Sequence, residues 1–189
     1  MKTNTMIVQR ILLTHQWILE ATKSLSQDQF SRVLGNNAPP VGWHLWHIAR
    51  FADRLQASFN PPEGDAGTEI WQDEIFVEKW NLIPDQLGVL ESGMEMEMGI
   101  AISFSENIGM DEILDYAIRC FEKLDNAVTG LDPDQFDVRR TSVRAYKRSG
   151  DRLVEAKPEE TTTGADLIFH ISHASRHLGS IEALLGLIE

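Results

Sequence analysis

Six histidines occur in the 189-residue chain, and five of them fall in two short runs, Trp43-His44-Leu45-Trp46-His47 and His170-Ile171-Ser172-His173-Ala174-Ser175-Arg176-His177. An α-helix turns ~100° per residue, so His173 and His177 project from one face a turn apart and can grip one metal ion, with a third imidazole arriving from another helix. Three neutral imidazoles leave coordination positions open, which suits an ion that does chemistry rather than one that only holds a fold. Such an ion lowers the pKa of a bound water or thiol and polarises a carbonyl. Between His173 and His177 stand Ala174, Ser175 and Arg176, so the general-base glutamate of the His-Glu-x-x-His protease motif is missing and protease chemistry is disfavoured. The alternative, five unrelated core histidines, requires a separate hydrogen-bond partner for every buried ring.

The elements that must position these rings are helical. Ile7, Val8, Ile11, Leu12, Ile18, Leu19 and Leu25 recur at three- and four-residue steps and predict a first helix over 5–25. The breaker cluster 35–40 ends in Pro39-Pro40, and a second helix is predicted over 41–59, closed by 60–65. Its inward candidates are Val41, His44, Leu45, Ile48, Phe51, Ala52 and Leu55, with Arg50, Asp53 and Arg54 on the other side. Residues 68–108 are hard to read: Trp71, Phe76, Val77 and Trp80 suggest a short helix before Pro84, and 91–98 gives no period. Ile113, Leu114, Ala117, Phe121, Leu124, Val128 and Leu131 mark a strong helix closed by Gly130 and Pro133. In 136–158, Val143, Tyr146, Leu153 and Val154 flank Ser149-Gly150-Asp151 and predict a small hairpin. The last helix opens at Thr163-Gly164-Ala165-Asp166, which reads as a capping box, and runs almost to Glu189. On it His177 and His173 fall at about 340° and 300° relative to His170, edging an apolar stripe centred near 50°. His47 lies about 60° from His44, again beside its helix's stripe, so one histidine from the second helix and two from the last can converge. Long helices with extended connections predict an all-α bundle, whose core is a usual place for a metal site.

At 42% hydrophobic, the chain can bury a sizeable core as a single domain over 1–189. With 29 acidic against 17 basic side chains the net charge is −12, which repels nucleic acid and anionic membranes. The apolar stretch 7–19 is broken by Gln9, Arg10, His15 and Gln16 and fits neither a signal peptide nor a membrane span. The single cysteine, Cys120, excludes an internal disulfide and reads as a core residue. A soluble, unprocessed, cytoplasmic protein is expected.

Two segments carry a resemblance: 40–53, Pro-Val-Gly-Trp-His-Leu-Trp-His-Ile-Ala-Arg-Phe-Ala-Asp, and 173–186, His-Ala-Ser-Arg-His-Leu-Gly-Ser-Ile-Glu-Ala-Leu-Leu-Gly. In spacing, order and flanking residues the chain resembles the DinB/YfiT-like metalloenzyme superfamily. The resemblance implies an up-down-down-up four-helix bundle holding a divalent metal, zinc or nickel foremost and iron next, on three histidines. Carried over by position, these ligands are His47, His173 and His177. Many members read Arg-Gly-Gln after the last histidine, where this chain has Leu178-Gly179-Ser180. His44 and His170 lie outside the three-ligand pattern.

Relatives in that superfamily use small cellular thiols, so the leading expectation is thiol-dependent S-transfer or isomerisation of a small-molecule substrate, with a low-molecular-weight thiol as cosubstrate. A second reading is a non-catalytic metal- or ligand-binding bundle acting as a sensor. A third is a homodimer in which exposed Trp43, Trp46 and Trp71 form an interaction surface. Arg50 and Arg176, near the ligands in sequence, are candidates to hold an anionic substrate group. The basic cluster Arg139, Arg140, Arg144, Lys147, Arg148 and Arg152 reads first as a solvated loop face and second as a site for an acidic ligand. His15 reads as a core residue or a pocket liner.

Overall fold

A computed structural model describes residues 3–35, 38–59 and 67–188. The fold is mostly helical. Its long helices are α1 (Thr3–Thr22), α3 (Val41–Ala57), α7 (Met110–Thr129) and α8 (Thr163–Leu185); shorter ones are α2 (Gln27–Ser31), α4 (Ile70–Asp73), α5 (Phe76–Lys79) and α6 (Met98–Ile108). Strands β1 (Arg139–Thr141), β2 (Tyr146–Ser149), β3 (Arg152–Glu155) and β4 (Glu160–Thr162) precede α8.

Each long helix packs chiefly on two others, α1 on α7 and α8 and α3 on α7 and α8, with a smaller contact between α1 and α3. Their apolar faces meet in a core that includes Ile11, Ile18, Leu45, Ile48, Ala117, Leu124, Leu167 and Ile181, all fully buried. Cys120 is in this core, as expected. Helix α3 is the central element. The small helices α2, α4 and α6 cover what α7 and α8 leave open, so every residue from Val41 to Asp53 is buried.

Several expected boundaries move. Helix α1 stops at Thr22, and α2 follows under its own capping box, with Ser26 and Gln29 each bonding the other's backbone N–H. The ambiguous 68–108 stretch holds two single-turn helices and then α6, which buries Ala101, Phe104 and Ser105 one turn apart. The breakers at 60–65 lie outside the described residues, as do Asn36 and Asn37 of the first cluster. The hairpin is present as β2 paired antiparallel with β3, Ser149 opposite Arg152. It sits inside a second antiparallel pair, β1 with β4, that the sequence reading lacked. Helix α8 is capped by Thr162, whose hydroxyl accepts from the Ala165 N–H, rather than by a Thr163–Asp166 box. Asp166 is instead fully buried beneath the hairpin, taking a hydrogen bond from Ser142 Oγ and facing Arg140 and Arg144.

No helix among the described residues is long and apolar enough to cross a membrane.

Candidate metal centre

Helices α3 and α8 bring His47, His173 and His177 together, with one nitrogen from each lying within 4.8 Å of the others. The Nε2 atoms of His47 and His173 are 3.0 Å apart, and those of His173 and His177 3.1 Å. Two ligands of one cation, each bonded at about 2.05 Å and subtending 90–110°, stand about 2.9–3.4 Å apart, so both separations fit a shared ion. The tautomers agree. His47 Nδ1 bonds the Ser92 carbonyl, which can only accept, so the ring's proton sits on Nδ1 and its Nε2 lone pair faces His173. His177 Nδ1 lies 2.8 Å from His44 Nδ1, leaving its Nε2 for the centre. His173 Nδ1 is buried without a partner among the described residues.

Burial sets the protonation. His47 is pushed down to about 4 by desolvation, against the Ser92 hydrogen bond and with help from His44; His44 also falls to about 4 by burial. His173 is lowered to about 2 by burial and then by His47, His170 and Arg176, and His177 is lowered by burial and by the same cluster. All four rings are therefore neutral at pH 7, the form that ligates. Trp43 stacks on His47 at 4.7 Å, and the Phe51 ring meets His173 at 4.4 Å, closing the centre with apolar walls.

The Ser92 carbonyl arrives on a strained loop. Gly88, Leu90, Glu91, Gly93 and Glu95 all have positive φ. At Gly93, φ is +89° and an added Cβ would stand 2.8 Å from Trp43 Nε1, so the backbone can approach the indole only because the side chain is absent. The same loop gives the Glu91 carbonyl to Arg50 Nε at 3.0 Å and the Glu91 carboxylate to Trp71 Nε1 at 2.7 Å. Sequence reasoning passed over Ser92 and this loop. The two glycines were the only local signal.

The sequence pattern of the DinB superfamily matches residues 11–181. The chain belongs to the DinB superfamily. One solved structure, the crystal structure of the conserved protein of locus from Enterococcus faecalis, is similar over 97% of this chain and 95% of its own, with a TM-score of 0.67 and 16% identity. That likeness is one of fold. No curated protein matches the chain.

Within this DinB-superfamily fold the other candidates separate clearly. His44 touches His177 but stays outside the convergent set. His170 turns to α1, its Nε2 2.8 Å from that of His15, which in turn bonds Asp125 at 2.7 Å through Nδ1. Arg50 and Asp53, expected on the outward side of their helix, are buried together. Arg50 reaches Asp53, Glu69 and Tyr116, while Asp53 accepts the N–H groups of Ile70 and Trp71. Burial disfavours the Arg50 cation, but Tyr116, Glu69 and Asp53 outweigh it and raise its pKa. Its guanidinium is thus held by internal partners, while Arg50 also lines a cavity beside Arg54 and Glu69. Trp43, Trp46 and Trp71 are buried rather than exposed, which removes the tryptophan surface on which the third reading rested.

Proposed function

We propose that this chain is a metal-dependent enzyme of the DinB superfamily that carries out thiol-dependent S-transfer or isomerisation on a small molecule in the cytoplasm. The observation that carries the reading is the convergence of three neutral imidazole Nε2 atoms in a mostly buried site that, among the described residues, supplies three ligands. A divalent ion there, zinc or nickel foremost, would hold a thiol as thiolate and polarise an electrophile. The chain's own groups do the positioning. Ser92 O and His44 fix the rings of His47 and His177, and Trp43, Phe51 and Phe169 keep bulk water from the walls.

The up-down-down-up helix order belongs to the same reading. His44 meets His177 and His47 meets His173, which supports opposite directions for α3 and α8.

Elemental analysis of protein as isolated, beside His47→Ala and His177→Ala, tests the ligands: about one ion per chain is expected, lost in both variants with far-UV circular dichroism retained. Calorimetric titration with small thiols and a panel of electrophiles then tests the chemistry. Retained metal with no thiol binding and no conjugation would overturn it.

A further inference from the structure

The basic segment after residue 138 has the composition of a solvated face, but part of it packs on Phe169 and Phe51, the rings that meet His173. A cavity of about 430 Å³ opens between the β2–β3 hairpin and the start of α8, lined among others by Arg144, Tyr146, Lys147, Lys157 and Phe169. Arg144 is built into it. Its Nε is pinned by Ser142 Oγ at 3.1 Å and by buried Asp166 at 3.3 Å, and its guanidinium lies 4.7 Å over the Phe169 ring. Its two terminal nitrogens meet no acceptor among the described residues, which leaves the outer edge of the planar fork free to donate to a ligand in the cavity that Arg144 lines.

The cavity and the imidazoles share a wall. Phe169 stacks on His173 with ring centres 5.9 Å apart, so the Arg144 guanidinium and the His173 ring lie within about 11 Å of each other. Tyr146 packs edge-on to Phe51, which itself meets His173. Burial raises the Tyr146 phenol's pKa while Arg144, Arg176 and Arg54 lower it, and Arg176 adds to the lowering that burial gives His173 and His177. Arg54 is countered by Glu69 and Glu155, whereas Arg176 is exposed with no carboxylate within 4 Å among the described residues. Among the described residues, Glu159 is the one carboxylate lining the cavity. In a chain of net charge −12 this is a local surplus of cations beside the centre. The larger cavity near Arg50 and Arg54, about 640 Å³, is lined by Glu69, Asp85, Glu91 and Glu155 and has the opposite character.

We infer that this cavity binds the carboxylate of the substrate or cosubstrate, Arg144 holding it in its fork and Arg176 attracting it, while the other end of the molecule reaches the three histidines. Tyr146, whose phenol burial keeps protonated, offers an additional donor. This rests on the proposed metal site and deepens it by naming an anionic ligand class.

The test uses cobalt-loaded full-length protein and two matched probes, 6-mercaptohexanoate and 6-mercaptohexanol, titrated by the thiolate-to-cobalt absorption band. The carboxylate probe should bind at least tenfold tighter. In Arg144→Gln and in Arg176→Gln, an exposed position, that advantage should shrink several-fold, each variant's carboxylate probe being referred to its own mercaptohexanol affinity. Equal affinity of the two probes for the wild type, or an advantage untouched by both substitutions, overturns the inference. If neither thiol gives the band, the thiol reading fails separately, and hexanoate then tests the cavity through cobalt-induced proton relaxation. Stronger relaxation of its terminal methyl than of its α-protons, weakened in Arg144→Gln, supports the cavity. The reverse gradient, or no saturable effect, overturns it.

Discussion

Lowering the pH of metal-stripped protein from 7.5 to 5 should remove several kilocalories of folding stability through the buried imidazoles. Below about pH 6.5 an unfolded chain takes up a proton on each histidine. Folded His44 and His47, held at about 4 by burial, stay neutral. Protons therefore bind preferentially to the unfolded state, and stability that is complete above pH 6.5 drains away as the pH falls towards 4. At pH 5 each ring accounts for a loss of about 2 kcal/mol, or about 4 kcal/mol for the pair. His170 and His173, buried and shifted the same way, enlarge the loss. Against the roughly 5–15 kcal/mol that stabilises an ordinary small domain, this is a large fraction. Urea unfolding followed by tryptophan fluorescence, in chelator at pH 7.5, 6 and 5, measures it directly. His44→Gln removes one titrating ring and should lose about 2 kcal/mol less over the same interval. Unfolding free energies that stay flat from pH 7.5 to 5, or equal losses in wild type and variant, would refute the reasoning. Excess zinc should move the acid midpoint downward, because the ligands bind only when neutral.

Two substitutions probe the supports of the centre. Asp53→Ala takes one of two carboxylates from the buried Arg50 cation, which keeps Glu69, and leaves the Ile70 and Trp71 N–H groups without their acceptor, so a loss of about 3–5 kcal/mol in urea unfolding is expected, and one under about 1 kcal/mol would show the network to be incidental. Gly93→Ala must either hold an alanine at φ +89° against Trp43 or displace the loop, which predicts a loss of about 1–3 kcal/mol together with weaker zinc binding by calorimetry; wild-type zinc affinity in a folded variant would uncouple the Ser92 carbonyl from the centre.

What was legible in the sequence was whatever a helix's period encodes. His173 and His177 share a face because they are four apart, and the apolar steps of α1, α3, α7 and α8 announce those helices because each lays a stripe on the common core. The same logic misplaced Arg50 and Asp53. Sorting a helix into inward and outward faces assumes one buried side, but α3 is wrapped by α7, α8 and the small helices, so its outward polar residues are enclosed and pair with one another.

The remaining parts of the centre have no side-chain signature to read. His47 is fixed by a backbone carbonyl, an atom every residue carries, so the identity of Ser92 says nothing of its role. What brings that carbonyl into place is a run of left-handed backbone at Leu90, Glu91 and Glu95, residue types that seldom adopt it, held by Gly93 against Trp43 and by the Val89–Met94 bridge. Tertiary contacts impose that conformation against local preference, and local preference is all that a sequence window reports. The hairpin shows the complementary case: its turn was readable from Ser149-Gly150-Asp151, yet only the enclosing β1–β4 pair and the buried Asp166 turn Arg144 back over Phe169 and towards the histidines. Arg144 is turned out of the solvated cluster by an acid beneath it, and that acid sits more than twenty residues away in the chain.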